Sequence, residues 1–297
     1  MNFTINPCTE GDAEYIWKMD EAESVCAGSY ANCSEELLVF KAEAENGGII
    51  GGCVLSIDLS GTAEFNSLFI DEGFRRRGIG TAIVLEAERT ARSRGCRMMI
   101  NAYNFDFQFA KPLFEKLGYI LIGTAKDWPK GHEGYTLIKK LDGTEEGFAH
   151  AHAPSPASSS RSDAELEIRR GTAEDGDQIS ARLAEFNGAF APRTHAYIDL
   201  DKKVLDENGN IIGGCIAGVS GWDAAHIDLV WVDARFRGQG LEAALIAEIE
   251  REAKALGAYI VRTGAGEAQA AFFTEQGYEV IAVYDGEARW FVMQKKL

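Results

Sequence analysis

The residues best suited to chemistry lie in one short run, Phe74-Arg75-Arg76-Arg77-Gly78-Ile79-Gly80-Thr81, between an apolar strand pattern and an amphipathic helix pattern. Glycines in such a turn let the backbone approach a ligand closely, and the free N–H groups of a helix N-terminus attract anions. Three arginines and the helix dipole strengthen that preference. Taken alone, the turn fits any phosphate ligand, or merely a tight reversal of the chain. It is neither G-x-x-x-x-G-K-[ST] nor a full G-x-G-x-x-G, which disfavours nucleotide readings. The six cysteines (Cys8, Cys26, Cys33, Cys53, Cys96, Cys215) form no C-x-x-C pair and have no histidine at zinc-ligand spacing. Cys53 and Cys215 sit in apolar runs as small core residues. The set reads as reduced cytoplasmic thiols with no structural metal. The run Trp128-Pro129-Lys130-Gly131-His132 offers a histidine that either meets a substrate or is an idle surface side chain.

The elements around the turn occur twice. Gly48-Ile49-Ile50-Gly51-Gly52-Cys53 returns as Asn210-Ile211-Ile212-Gly213-Gly214-Cys215, and the same offset of 162 carries Asp71 onto Asp233, Phe74-Arg75 onto Phe236-Arg237 and Gly95 onto Gly257. Ile5 and Asp12 match Ile168 and Asp175, and Lys139-Lys140-Leu141 matches Lys295-Lys296-Leu297. That many ordered matches make the chain a duplication. The copies span residues 1–141 and 164–297. Between them, 142–163 is rich in Gly, Ala, Ser and Pro, contains His150 and His152, and reads as a flexible linker. Each copy carrying a full set of elements, a cut in that linker is expected to free two soluble parts. In each copy an initial strand and helix precede a Gly-punctuated strand (49–57; 211–219) and an apolar strand (64–70; 226–232). Ile79, Ala82, Ile83, Ala87 and Ala91 then fall at helical spacing, as do Leu241, Ala244, Leu245, Ile249 and Ala253. Gly95 and Gly257 stop those helices, and a short strand, another helix and a final strand follow. Strand, turn, helix, strand is a crossover, so part of each sheet is parallel.

With both pieces in view the resemblance is specific. Arg75-Arg76-Arg77-Gly78-Ile79-Gly80 resembles the R-x-x-G-x-G/A pyrophosphate loop of the GNAT N-acetyltransferase superfamily. Ala110-Lys111-Pro112-Leu113-Phe114-Glu115-Lys116-Leu117-Gly118-Tyr119 is similar to its A-x-x-x-Y/F-x-x-x-G-F/Y helix. The resemblance covers essentially all of both copies. It implies an α/β (mixed α+β) fold of two tandem acyl-CoA N-acyltransferase domains, each a mixed sheet flanked by helices and splayed between its fourth and fifth strands. It also implies acetyl-CoA as cosubstrate, with Leu68, Phe69 and Ile70 on the pantetheine amides. Arg75, Arg76, Arg77, Gly78, Ile79, Gly80 and Thr81 would serve the pyrophosphate, and Phe114 would lie at the cofactor. Glu64 resembles in position the glutamate that some members use as general base. On regular strand alternation Glu64, Asn66 and Leu68 share one face, and an apolar cleft raises a carboxyl pKa as that task requires. The alternative is a strand-end glutamate facing solvent. Phe114 holds the place of the usual tyrosine acid and has no proton to give. Either a nearby tyrosine (Tyr119 or Tyr103) replaces it, or water protonates the thiolate; Tyr119, after a helix-stopping glycine, is equally a packing residue.

The second copy departs in its loop, Arg237-Gly238-Gln239-Gly240-Leu241-Glu242, where Glu242 stands at the place of Gly80. A carboxylate there repels a diphosphate, although an acidic side chain also suits a first helical turn. His226 replaces Glu64 and Phe273 again fills the tyrosine position. The first copy is therefore expected to acetylate a primary amine of a small molecule while the second supports it. Two rivals stay open: catalysis in the second copy with His226 as base, and a non-catalytic acyl-CoA sensor. The net charge of −16 argues against nucleic acid as partner and suits a cationic amine, or only keeps the chain soluble. No apolar run approaches the roughly 20 residues of a membrane span, and no secretory signal opens the sequence. The identity of the acceptor and the oligomeric state are not written in the sequence.

Overall fold

The computed structural model of the protein describes residues 3–23, 36–57, 61–105, 110–141, 168–285 and 289–297. The first repeat runs β1 (Thr4–Pro7), α1 (Glu10–Glu23), β2 (Glu36–Glu43), β3 (Ile49–Ile57), β4 (Thr62–Ile70), α2 (Ile79–Ser93), β5 (Met98–Phe105), α3 (Ala110–Lys116), β6 (Ile120–Lys126) and β7 (Glu133–Lys140). The second runs β8 (Ile168–Arg170), α4 (Ala173–Phe190), a two-residue β9 (Ile198–Asp199), β10 (Lys202–Leu205), β11 (Ile211–Ser220), β12 (Ala224–Val232), α5 (Leu241–Ala255), β13 (Ile260–Gly266), α6 (Glu267–Glu275), β14 (Glu279–Asp285) and β15 (Arg289–Lys296). The expected linker, with His150 and His152, lies outside the described residues, as do Cys26 and Cys33. β2 is an addition to the sequence reading. Its Leu38, Val39 and Phe40 are all buried, and a continuous apolar run carries no strand periodicity.

Two compact units result, and neither is one repeat. In the unit that holds β2, β3, β4, β5 and β7 of the first repeat, β8 and α4 come from the second. Its strand order is β7-β5-β4-β3-β2-β8, antiparallel throughout except for β4–β5. β8 pairs with β2 from Phe40↔Arg170 to Ala42↔Ile168. Phe40, Leu55, Ile83, Met99 and Leu137 form its core under α2. The other unit holds the second repeat from residue 191 onward, together with β1, α1 and residues 123–133. Its order is β1-β10-β11-β12-β13-β15-β14 with β12–β13 parallel, and β1 pairs with β10 from Thr4↔Leu205 to Pro7↔Lys202. Leu245, Ile249, Val261, Phe273 and Met293 fill its core under α5.

The expectation of self-contained domains at 1–141 and 164–297 is thereby corrected: each repeat gives its first strand and helix to the other's sheet. The caps of the exchanged helices and one buried isoleucine on each are the same in both units. Thr172 and Asp175 cap α4, with Thr172 N–H donating to Asp175 Oδ2 at 2.7 Å, and Thr9 and Asp12 cap α1 with the same bond at 2.7 Å. Each capping aspartate then meets a lysine of the receiving sheet, Lys41 on Asp175 at 3.1 Å and Lys203 on Asp12 at 2.6 Å. Ile179 and Ile16 are both 0% exposed, and burying each contributes about 1.5–3 kcal/mol. They fit only because the facing residue is glycine. A Cβ on Gly52 would stand 2.3 Å from Ile179, and one on Gly214 would stand 2.1 Å from Ile16.

Candidate active site

β4 carries the first candidate, and its geometry turns on a bulge. Val54 faces Ser67 and Leu55 faces Phe65, so Asn66 is the extra residue on β4. Ser56 Oγ donates to Asn66 Oδ1 at 3.0 Å. A bulge shifts the alternation by one. Ala63 and Phe65 point into the core under α2, and so do Leu68 and Ile70. Ser67 turns to the opposite side, 3.2 Å from Ser180 Oγ of α4, where Phe69 packs near Ile179. The expectation that Glu64, Asn66 and Leu68 share a face is therefore corrected. Glu64 lies on the face of Ser67 and Phe69, partly exposed, with Leu68 on the other.

Glu64 also marks where the sheet opens. β4 pairs with β5 only from Thr62↔Met98 to Glu64↔Ile100. Beyond that point β4 continues to Ile70, so the edge carrying Leu68, Phe69 and Ile70 has no β5 partner among the described residues. The expected splay lies between these fourth and fifth strands, and β12 leaves β13 in the same way after Ile227↔Thr263.

After β4, Glu72–Phe74 form a single 3-10 turn, and Gly78 N-caps α2 at φ 86°, a left-handed conformation that glycine adopts freely. The first helical bond runs from Ala82 N–H to Gly78 O at 2.9 Å, so the N–H groups before it are open to an anion. Arg76 and Arg77 are exposed in this turn, and Arg76 holds φ 63°. Arg75 is placed differently. Its Nε donates to Ile70 O at 3.0 Å and its guanidinium lies 4.4 Å from the Phe186 ring centroid. Arg237 makes the matching bond to Val232 O at 2.9 Å, so this arginine shapes the turn in both copies. Gly80 lies at the mouth, where a Cβ would approach Leu113 to 3.1 Å. The second loop has the same backbone, with Gly238 at φ 72° and Gly240 at φ 82°, but puts Glu242 in the first turn of α5.

Phe114 is buried under β4, 5.3 Å from the Phe65 centroid and 4.9 Å from that of Tyr119. Tyr119 is 3% exposed. Burial first, then the Glu88 carboxylate, pushes its hydroxyl far above the ordinary phenol value, so it stays protonated. Glu88 itself is bound by Lys139 at 2.7 Å. Tyr278, Glu250 and Lys295 repeat this arrangement, with a 2.6 Å ion pair. Tyr119, the candidate acid, thus packs in the core as Tyr278 does in the other unit. His132 belongs to the other compact unit.

In the unit carrying β12, the bulge falls on Asp228, because Ile216 faces Leu229 and Ala217 faces Ile227. His226 Nε2 lies 2.9 Å from Tyr197 Oη and 3.4 Å from Asp228 Oδ2. Burial raises the Tyr197 hydroxyl, with Asp228, Asp199 and Asp201 adding to the shift. Tyr197 and Asp228 were missed from sequence, since a bulge without glycine or proline leaves no local mark. The buried Cys53 and Cys215 are core residues, and burial pushes the Cys53 thiol up. Among the described residues no group of three His, Cys, Asp or Glu side chains is arranged to hold a metal, and no helix is long and apolar enough to cross a membrane.

The Acetyltransferase (GNAT) family model matches residues 7–119 and, separately, 164–278. The chain belongs to the acetyltransferase (GNAT) family, in two tandem copies. It resembles the blasticidin-S acetyltransferase of Streptomyces morookaense, 46% identical over 48 residues, a match that spans 16% of this chain and 35% of that relative's length. A solved acetyltransferase from Bacillus cereus ATCC 14579 is 27% identical, covering 46% of this chain and 96% of the other at a TM-score of 0.41. A GNAT family acetyltransferase from Elizabethkingia anophelis, solved with acetyl-CoA bound, is 16% identical, covering 33% and 76% at a TM-score of 0.29.

Proposed function

We propose that the chain is an acetyl-CoA-dependent N-acetyltransferase acting on a primary amine of a small molecule, with its active site in the unit built on β2, β3, β4, β5 and β7. The observation that carries this reading is the parting of β4 from β5 after Glu64, which leaves an open strand edge up to Ile70 ahead of the glycine-capped turn into α2. The open edge at Leu68, Phe69 and Ile70 suits the amides of pantetheine, and the N–H groups of residues 77–81 suit a diphosphate. Acetyl-CoA supplies an acetyl group activated as a thioester. Glu64 takes the proton of the amine as its nitrogen bonds to the carbonyl carbon and the C–S bond breaks. Water or Tyr103, whose side chain lies outside the described residues, protonates the leaving thiolate, because Phe114 has no proton to give and Tyr119 is held in the core.

The small-molecule acceptor is supported by the name of the Streptomyces relative and by the chain's acidity, which suits a cationic amine. A second reading has one observation in its favour, the His226–Tyr197–Asp228 cluster at the β12 bulge. Glu242 weighs against it, since a carboxylate in the first turn of α5 opposes a diphosphate. The test is release of free CoA thiol from acetyl-CoA across a panel of primary amines. Turnover with at least one amine, lost in Gly80→Glu, is expected. Acetyl-CoA binding without turnover across the panel would make the protein a binding module.

A further inference from the structure

The second repeat reaches the first repeat's phosphate turn through α4. Arg182 Nη1 donates to Ile49 O at 2.5 Å and lies 3.3 Å and 3.2 Å from the two carboxylate oxygens of Asp71. Asp71 is the residue between the end of β4 and the 3-10 turn. One turn further along α4, Phe186 receives the guanidinium of Arg75, whose Nε holds Ile70 O. Two side chains of α4 thus grip both sides of the hinge between the open strand edge and the glycine turn.

The other unit is an internal control. Its exchanged helix, α1, has Met19 at the place of Arg182 and Glu23 at the place of Phe186. Met19 packs against an apolar cluster, and Asp233, the counterpart of Asp71, is bound instead by Arg235 of its own turn at 2.6 Å. Among the described residues, the grip from the exchanged helix is found only in the unit whose loop carries Gly80 rather than Glu242.

We infer that Arg182 and Phe186 of the second repeat are positioning residues for the acyl-CoA phosphate turn of the first, so the active site is incomplete without the second repeat. This rests on the reading of that unit as the acyl-CoA site. The Arg182–Asp71 pair is partly exposed, with side chains 39% and 33% accessible, and such a pair adds little to global stability. Its effect falls instead on the turn's position, hence on phosphate affinity.

CoA titrated calorimetrically into the full chain tests the inference. Arg182→Met should weaken CoA binding roughly five- to fiftyfold while the denaturation midpoint stays in place. Arg182→Lys, which keeps a cation on Asp71, should recover most of the loss. Arg182→Met combined with Asp71→Asn should bind no more weakly than the worse single variant, because both remove one interaction. Wild-type affinity in Arg182→Met would overturn the inference and leave the assigned function intact; an unmodified chain that binds no CoA would overturn both. Should Arg182→Met fail to fold, Phe186→Leu and Asp71→Asn decide, since each loosens one side of the grip and unchanged CoA affinity in both refutes it.

Discussion

Glu64 and Tyr119 are both proton carriers by type, and only their surroundings separate them. Glu64 ends the β4–β5 pairing and is partly exposed at the opening, whereas Tyr119 is sealed beside Glu88 and Lys139. Glu64→Gln should therefore lower kcat about 10²–10⁴-fold and abolish the acidic limb of the pH–rate profile, with acetyl-CoA affinity nearly unchanged. Tyr119→Phe, the control, should leave turnover almost intact; if the two effects were reversed, the assignment of the base would be wrong. At this scale the sequence showed the residue types and the glycine turn, because Gly78 at φ 86° needs glycine. The side on which Glu64 points was hidden. It depends on the bulge at Asn66, an ordinary strand residue by type that becomes irregular only through pairing with β3. A second feature hidden from the sequence is the bond of Arg75 Nε to Ile70 O, which depends on the turn's path after β4.

Helices α1 and α4 show why the repeat was legible and its exchange was not. The capping contact that an unexchanged α1 would make with the first repeat's sheet has a homologous counterpart in the second, so Lys41 serves Asp175 as Lys203 serves Asp12. A trade between equivalent surfaces leaves no trace in composition or periodicity. The Gly51-Gly52 and Gly213-Gly214 pairs, by contrast, were visible as a repeated motif, and packing explains them. Gly52→Ala should destabilise the fold by about 1–3 kcal/mol or more, since its Cβ would meet Ile179 at 2.3 Å and Phe40 O at 2.6 Å. Gly214→Ala should do likewise against Ile16, and an unchanged denaturation midpoint in either variant would contradict the helix placement. The caps add a pH signature. Hydrogen bonds from Lys203 and Thr9 hold the Asp12 carboxyl down at about 2. A lowered folded-state pKa gives stability that is present above the ordinary carboxylate value and lost as pH falls through the folded one. The stability difference between wild type and Asp12→Asn should accordingly persist at neutral pH and shrink between about pH 4 and pH 2.

For the whole molecule, exchange changes what a severed chain does. The sequence alone suggested that cutting between residues 153 and 160 would release two independent parts. With β1 and α1 embedded in one unit and β8 and α4 in the other, the fragments should instead co-elute near the intact 32.4 kDa. Separation into two soluble fragments in buffer would contradict the exchange. The division of labour between the units rests on their loops, which share a backbone and differ at Gly80 and Glu242. Calorimetric titration of acetyl-CoA into the intact chain tests that division most directly. One site per chain is expected, abolished by Gly80→Glu through charge repulsion and crowding at Leu113. Two sites of equal affinity, or a single site that survives Gly80→Glu, would contradict the assignment of acetyl transfer to the unit built on β4 and α2.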